Sequence, residues 1–427
     1  MAQGPLARND QVLVIGGGVI GLSCAYVLRR RGYQVRVVDA GEMGAGASFG
    51  NGGWVCPSLS GPVPAPGGVT RSLRWMLRRD SPLLVRPGLD PAVWSWLIAF
   101  ARHCNRRDFQ AGLEAVAAMA ASSTRRFREL ESAGVEFEIH RQGLLFLFLT
   151  RKAAFEEMAA LVRMEALGCQ PAQWIEAEQL RGLEPAADGV PMLGILAPDD
   201  EHVRPETLTA GLATWLRKAG VDLVPNTAVE HIRVTDGRAS VAVSSSGEEI
   251  TADAFVLAAG VESRALGREL GALIPLIGGN GYSITYAGSA PALSHPLYRA
   301  EARVAISPYR DRVRVLGAME LGPRSEASDR DRVQAMVRAC AWYLPRLRLT
   351  GEATPWAGMR PMVPDGLPVI GPAAGAANAV IATGHAMLGI ALAPATGELV
   401  ADIREGRELP RFTAAFSPDR FGALALR

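Results

Sequence analysis

The six residues GGGVIG at positions 16–21 have the types and spacing of a turn that cradles phosphate. Gly16 permits a tight turn, Gly18 lets backbone approach a pyrophosphate, and Gly21 lets a helix pack closely on the strand before it. Val19 and Ile20 open that helix, whose unpaired N–H groups would face the phosphates. Asp39 closes the next apolar stretch, where an acid accepts hydrogen bonds from adenosine ribose hydroxyls and repels a 2′-phosphate, which disfavours NADP. The turn alone does not choose between NAD and FAD, because both present an adenosine pyrophosphate. The segment GAGASFGNGGW at 44–54 favours the longer cofactor. Its small residues, Ala47, Gly52 and Gly53 among them, surround Ser48 and Asn51, and such backbone suits close approach to a ligand or, alternatively, a solvent loop between domains.

These residues need particular elements to hold them. Residues 11–15 read as a short buried strand, followed by a helix to about Arg31, a stop at Gly32 and a second strand over 33–38. Residues 204–220 carry Leu208, Leu212, Trp215 and Leu216 at helical spacing, with a strand at 221–224 and another starting at Val229. A hairpin is expected over 240–251 around the serine-glycine turn, then a buried strand over 254–260 ending in small residues. This second pass makes the nucleotide domain discontinuous. Residues 135–149 and 274–316, rich in alternating and β-branched types, are assigned to a separate antiparallel sheet, and the Pro/Gly-rich 61–68 to a crossover. The expected fold is α/β: a Rossmann-like domain (10–62, 200–270 and 357–427) with an α+β substrate domain built on that antiparallel sheet (63–199 and 271–356).

A chain of 427 residues with 48% hydrophobic and 21% charged residues has the length for two packed domains and is not a mainly disordered protein. Its net charge of +2 does not supply the positive field of a phosphate-tracking protein, so nucleic acid is excluded as a main partner. Cys24, Cys56, Cys104, Cys169 and Cys340 are scattered without a CxxC pair, which points to free thiols rather than a disulfide framework or zinc site. His202, among Asp199, Asp200 and Glu201, reads as solvated surface, and no metal is expected. The first ten residues hold no apolar leader, and no apolar run is long enough to span a membrane, so a cytoplasmic protein is expected.

Across nearly its whole length the chain resembles the D-amino-acid-oxidase superfamily of FAD enzymes, and within it the small subunit of bacterial D-amino-acid dehydrogenase. The resemblance is carried by the fingerprint, the 48–53 segment, a helical stretch over 74–104, GYS at 281–283, WAGMRPMVPDGLPVIG at 356–371 and TGHAMLGI at 383–390. It implies noncovalent FAD held by Gly16, Gly18, Val19, Ile20, Gly21, Asp39, Ala40, Ala47, Ser48, Asn51, Gly52 and Gly53. Val229 would contact the adenine, Ala259 and Gly260 would pass close to the cofactor, and Gly384, Met387, Leu388, Gly389 and Ile390 would lie beside the flavin ring.

It also implies that Arg360 grips a substrate carboxylate, for which the planar guanidinium fork is suited. Tyr282 would place a hydroxyl over the substrate or serve as a core tyrosine. His385 would donate toward the flavin where negative charge collects, or be a structural histidine. The implied reaction is oxidation of a D-amino acid, with the Cα hydride passing to flavin N5 and the imino acid hydrolysing to a 2-oxo acid and ammonia. A quinone or other respiratory carrier would take the electrons. Residues 71–108 hold eight arginines against three acids, interleaved with Trp75, Trp94 and Trp96, which suits either peripheral contact with the inner face of the cell membrane or a solvated helix. An oxidase or dehydrogenase of secondary amines such as glycine, sarcosine or D-proline, and a noncatalytic FAD-binding subunit of a complex, are the alternatives.

Overall fold

The computed structural model describes residues 10–70, 83–85, 90–187, 193–288, 293–321 and 326–426. Strand Gln11–Ile15 lies at the centre of a six-stranded sheet because its Val12, Leu13, Val14 and Ile15 are apolar on both faces, as a strand covered from both sides requires. It pairs in parallel with Gln34–Val38 on one side and Ala254–Leu257 on the other. Asp222–Val224 and Ala376–Thr383 extend the sheet in parallel, and Val369–Ala373 closes one edge antiparallel. Helix Val19–Arg30 packs on this sheet beside helix Gly389–Arg404. The Arg31 guanidinium binds Glu398, Asp402 and Glu405, tying the two helices together at one end.

The second large sheet has nine strands, with Glu352–Met362, Ile277–Ala287, Arg312–Leu321 and Val304–Pro308 as successive antiparallel neighbours. It is not purely antiparallel: Leu297–Arg299 pairs in parallel with Leu144–Phe148, and Leu83–Val85 in parallel with Arg312–Leu321. Helix Glu326–Tyr343 covers one face, where Val333, Met336 and Cys340 pack on Ile284, Val304 and Val315. The other face, with Arg314 and Trp356, meets residues 49–51.

The strand Glu352–Met362 belongs wholly to this sheet, so the expected domain boundary at 357 divides an element that the structure keeps intact. A small antiparallel sheet of Trp54–Val55, Ile139–His140 and Glu201–Val203 joins the halves. The expected helical stretch over 74–104 holds strand Leu83–Val85 and helix Pro91–His103; residues 71–82 and 86–89, Trp75 with them, lie outside the described residues.

Candidate active site

Gly16 has φ +109, and a Cβ there would run into the Ala258 carbonyl, so only glycine lets strands 11–15 and 254–257 close on each other at this end. Gly18 caps helix Val19–Arg30 without a side-chain bond of its own. Ser48 supplies one instead: its buried Oγ accepts the Val19 N–H at 3.0 Å, which leaves the hydroxyl proton to donate outward. The Asp39 carboxylate accepts the Gly17 N–H at 2.6 Å and the Gly41 N–H at 2.8 Å, fixing an acid beside the turn. The Thr227 N–H donates to the Asp39 carbonyl at 2.7 Å, which brings the start of strand Val229–Thr235 to the same corner. The Thr383 hydroxyl donates to the Gly260 carbonyl at 2.9 Å and holds residues 259–260 alongside. Gly16, Gly18, Val19, Ile20, Gly21, Asp39, Ser48, Val229, Ala259 and Gly260 therefore converge at one end of the sheet. Ala40 and Ala47 are exposed beside them.

Residues 49–53 run from this turn to the nine-stranded sheet and are held by their carbonyls. Arg314 Nη1 donates to Phe49 O at 3.1 Å and Asn51 O at 2.8 Å. The Ser307 and Tyr309 hydroxyls donate to Gly52 O at 2.8 Å and 3.1 Å. The Gly53 N–H is taken by the Asn51 side chain at 2.8 Å. The buried N–H groups of Gly50 and Gly52 meet no acceptor among the described residues. Buried backbone donors are rarely left so. With the glycine turn as further donors and the fixed acid as an acceptor, they suit a dinucleotide cofactor continuing into an electron-rich ring.

Arg360 lies on the sheet face that meets this loop. Strand Glu352–Met362 pairs without irregularity with Ile277–Ala287, so Arg360, Gly358 and Trp356 share a face with Gly279, Gly281 and Ser283. The guanidinium sits over Gly281, in the space that a Cβ there would occupy. Its only hydrogen bond, to Ala318 O, is long at 3.5 Å, and it has no ion-pair partner among the described residues. Burial pushes its pKa down to about 10, which leaves it cationic at neutral pH. Trp356 packs on Gly50, Leu316 lies 2.8 Å from the position a Gly52 Cβ would take, and the Ala386 N–H donates to Pro361 O at 3.2 Å. Arg360 is thus set between the 49–53 loop and the turn that opens the last helix. Trp96, buried with its Nε1 donating to Met362 O, supports the strand from helix Pro91–His103.

In that turn Gly384 and Ala386 take φ +72 and +47, a left-handed pair that carries the chain from strand 376–383 into helix 389–404. Leu388 is the helix N-cap, Gly389 and Ile390 begin the helix, and Met387 is exposed. The first-turn N–H groups and the positive end of the dipole therefore open beside Arg360's strand.

Two residues with open alternatives take the structural one here. His385 is buried, and its Nε2 bonds the Thr396 hydroxyl at 2.9 Å. That hydroxyl gives its one proton to Leu392 O, so the imidazole must be the donor and holds its proton on Nε2. Burial pushes its pKa down to about 3. His385 is a neutral ring whose N–H is already spent, so the donors near it are backbone groups of the helix. Tyr282 faces the other side of the sheet from Arg360, in the core under helix Glu326–Tyr343, with its hydroxyl donating to Glu320 at 3.0 Å. Strand alternation puts it on the opposite face from the guanidinium, in keeping with the core-tyrosine alternative, although it still acts electrostatically on Arg360 across the strand.

His202 is likewise buried rather than solvated. It stacks on His140, with ring centroids 4.7 Å apart, and bonds Pro308 O at 2.7 Å; among the described residues no group of side chains could hold a metal ion. Cys24, Cys56 and Cys340 are buried free thiols, while Cys104 and Cys169 are half-buried. The residues that clamp the 49–53 loop, Arg314, Ser307, Tyr309 and Glu206, lack a motif signal.

Residues 11–403 match the family of FAD dependent oxidoreductases. The chain is 33% identical to a D-amino acid dehydrogenase of Bradyrhizobium diazoefficiens, over 96% of this chain and 99% of that one. The structure resembles glycine oxidase from Geobacillus kaustophilus, with a TM-score of 0.73 and 24% identity over 96% of this chain and 99% of that one. It also resembles an iminodiacetate oxidase from Chelativorans sp. BNC1, with a TM-score of 0.72 and 24% identity over 95% and 98%. At these identities the two structures speak for the fold.

Proposed function

Because the chain belongs to the family of FAD-dependent oxidoreductases, we propose that it oxidises D-amino acids to 2-oxo acids and ammonia, as a dehydrogenase that passes electrons to a quinone or another carrier. FAD, when bound, supplies the two-electron acceptor. The observation that carries the substrate class is the Arg360 guanidinium, cationic, sheltered and without an acidic partner among the described residues, on the face that meets the cofactor loop. A carboxylate bound there gains a charge-assisted, two-point contact and has its Cα held in one orientation.

Gly281 keeps the guanidinium's space clear, and Trp356 packs against the loop beside it. The opening turn of helix 389–404 presents N–H dipoles toward developing negative charge. The phosphates belong at Gly16, Gly18 and Ser48, and the ribose at Asp39. Noncovalent attachment is the reading that residues 358–360, Gly-Met-Arg, support. The amine is taken as neutral on binding, so orientation is the protein's main contribution and no side chain is assigned as base.

Helix Pro91–His103 exposes Trp94 and Ile98 on one face, with Arg102 beyond them. This surface supports peripheral contact with an anionic membrane that carries the acceptor. Salt-sensitive co-sedimentation with anionic vesicles is expected, and vesicles that leave the protein in the supernatant remove that contact.

Anaerobic mixing of the yellow protein with D- and L-amino acids tests the function. Bleaching is expected with one or more D-amino acids, with dye reduction and without peroxide in air. Peroxide release on turnover of glycine or a secondary amine would instead make it an oxidase, and a flavin that no amino acid bleaches would point to a noncatalytic subunit.

A further inference from the structure

Arg314 holds two peptides of the 49–53 loop, and those two are the ones whose donors are unspent. The N–H of a trans peptide points opposite to its carbonyl. By gripping Phe49 O and Asn51 O, Arg314 Nη1 turns the Gly50 and Gly52 N–H groups away from the sheet, the pair that meets no acceptor among the described residues. The same guanidinium donates to Thr285 Oγ1 at 2.9 Å and pairs with Glu206 at 2.9 Å, with its side chain almost fully buried. Glu206 in turn pairs with Arg204 at 3.2 Å. A buried positive charge at the carbonyl ends polarises both peptides and strengthens their outward donors, and the carboxylate behind it offsets part of that field.

We propose that Arg314 is the positioning residue that aims the Gly50 and Gly52 N–H groups at the electron-rich edge of the flavin, and that the Arg314–Glu206 pair sets the flavin's reduction potential. The proposal rests on the family's FAD occupying the face of the loop opposite the clamp, and it goes beyond the carboxylate contact at Arg360. Reduction adds negative charge to the ring, so stronger donors favour the reduced form and raise the potential.

The two members of the pair then act with opposite sign. Glu206→Gln leaves the guanidinium in place without its counter-charge and shifts the potential of bound FAD upward. Arg314→Met removes the positive charge, leaves Glu206 behind the loop and shifts it downward. Arg314→Lys keeps the charge and returns the potential most of the way to the parent value. Potentials are read on the purified holoenzymes by equilibration with reference dyes under anaerobic conditions, with FAD dissociation constants measured alongside. The readout needs no substrate, so a wrong substrate assignment leaves it intact, whereas a protein that retains no FAD removes the cofactor reading itself.

A loop brace with no electrostatic role would weaken FAD binding in both variants and move both potentials the same way or not at all. That result overturns the proposal. If Arg314→Met does not accumulate as folded protein, Glu206→Gln decides alone: an unchanged or lowered potential overturns it, and a raised one sustains it.

Discussion

One arginine among many carries the substrate reading, and what distinguishes it is what surrounds it. Arg31, Arg204, Arg314 and Arg420 each meet a carboxylate within 3.2 Å, whereas Arg360 meets none among the described residues and, unlike the similarly unpaired Arg404 on the last helix, lies on the sheet face that meets the 49–53 loop. A half-buried cation with no counter-charge has lost part of its hydration and gains from an incoming acid. Arg360→Ala should therefore remove about 3–5 kcal/mol of binding, the cost of breaking a buried charge pair, and lower kcat/KM by roughly two to four orders of magnitude, chiefly through KM. Steady-state dye reduction with the best amino acid measures this, with the visible flavin spectrum as a control for cofactor content; an unchanged KM takes the carboxylate away from Arg360. His385 shows the reverse lesson. The TGHAMLGI string placed it correctly at the opening of the last helix, but its protonation depends on Thr396 Oγ1 and Leu392 O, on the next turns of that helix. No sequence spacing reports which way a hydroxyl proton points.

At the scale of elements, register decides what the site contains. The direct pairing of Arg360 with Gly279 and of Gly358 with Gly281 puts the guanidinium diagonally over Gly281, and the absence of one methyl group there makes room for it. Gly281→Ala should displace the guanidinium, raise KM about tenfold or more and leave the melting temperature within a few degrees, because the glycine has no positive φ and a Cβ there meets only the far end of a flexible side chain. Thermal unfolding and substrate titration on the same preparation test this, and a normal KM would mean that the guanidinium works from elsewhere.

The nucleotide sheet was legible because its strands are apolar on both faces and its turn is punctuated by glycine. The strand-helix-strand unit over 11–38, the helix at Pro205–Lys218 and the hairpin of Arg238–Ser244 with Glu249–Thr251 all form close to where the pattern put them. The substrate sheet was legible only in outline. Its parallel pairings join short strands far apart in the chain, such as 144–148 with 297–299, whose partners no local pattern names. Alternation over 312–321 marks Arg314 as an outward residue, and it is the arriving loop that covers it. The same parity, followed through GYS, would have separated Tyr282 from the face shared by Gly281 and Ser283.

For the whole molecule, the joint between the two large sheets is where sequence and structure differ most. Asp199, Asp200, Glu201 and His202 read as a polar turn, yet strand Glu201–Val203 is sandwiched between Trp54–Val55 and Ile139–His140, so Asp200, Glu201 and His202 are buried. The covering residues come from segments far away in the chain, which is why composition misjudged them. Asp200 sits where the nine-stranded sheet hands the chain to this joint, and its carboxylate takes the Ser58 hydroxyl and, at 3.2 Å, the Ser58 N–H. Burial nevertheless dominates and pushes its pKa up to about 7. An unfolded aspartate ionises near 3.9, so between about pH 4 and pH 7 the unfolded chain has lost a proton that the folded chain still holds. The unfolded state then binds fewer protons, and the contribution of Asp200 to stability falls as pH rises through that window and levels off above it. Asp200→Asn keeps an acceptor toward Ser58 but cannot ionise. The unfolding free energy of the parent minus that of Asp200→Asn should drop by up to about 4 kcal/mol from pH 4 to pH 7 and stay flat to pH 9, which urea unfolding at a series of pH values resolves. The other carboxylates titrate equally in both proteins and cancel in the difference, so parallel profiles would mean that Asp200 is ionised within the fold and that Ser58 outweighs its burial.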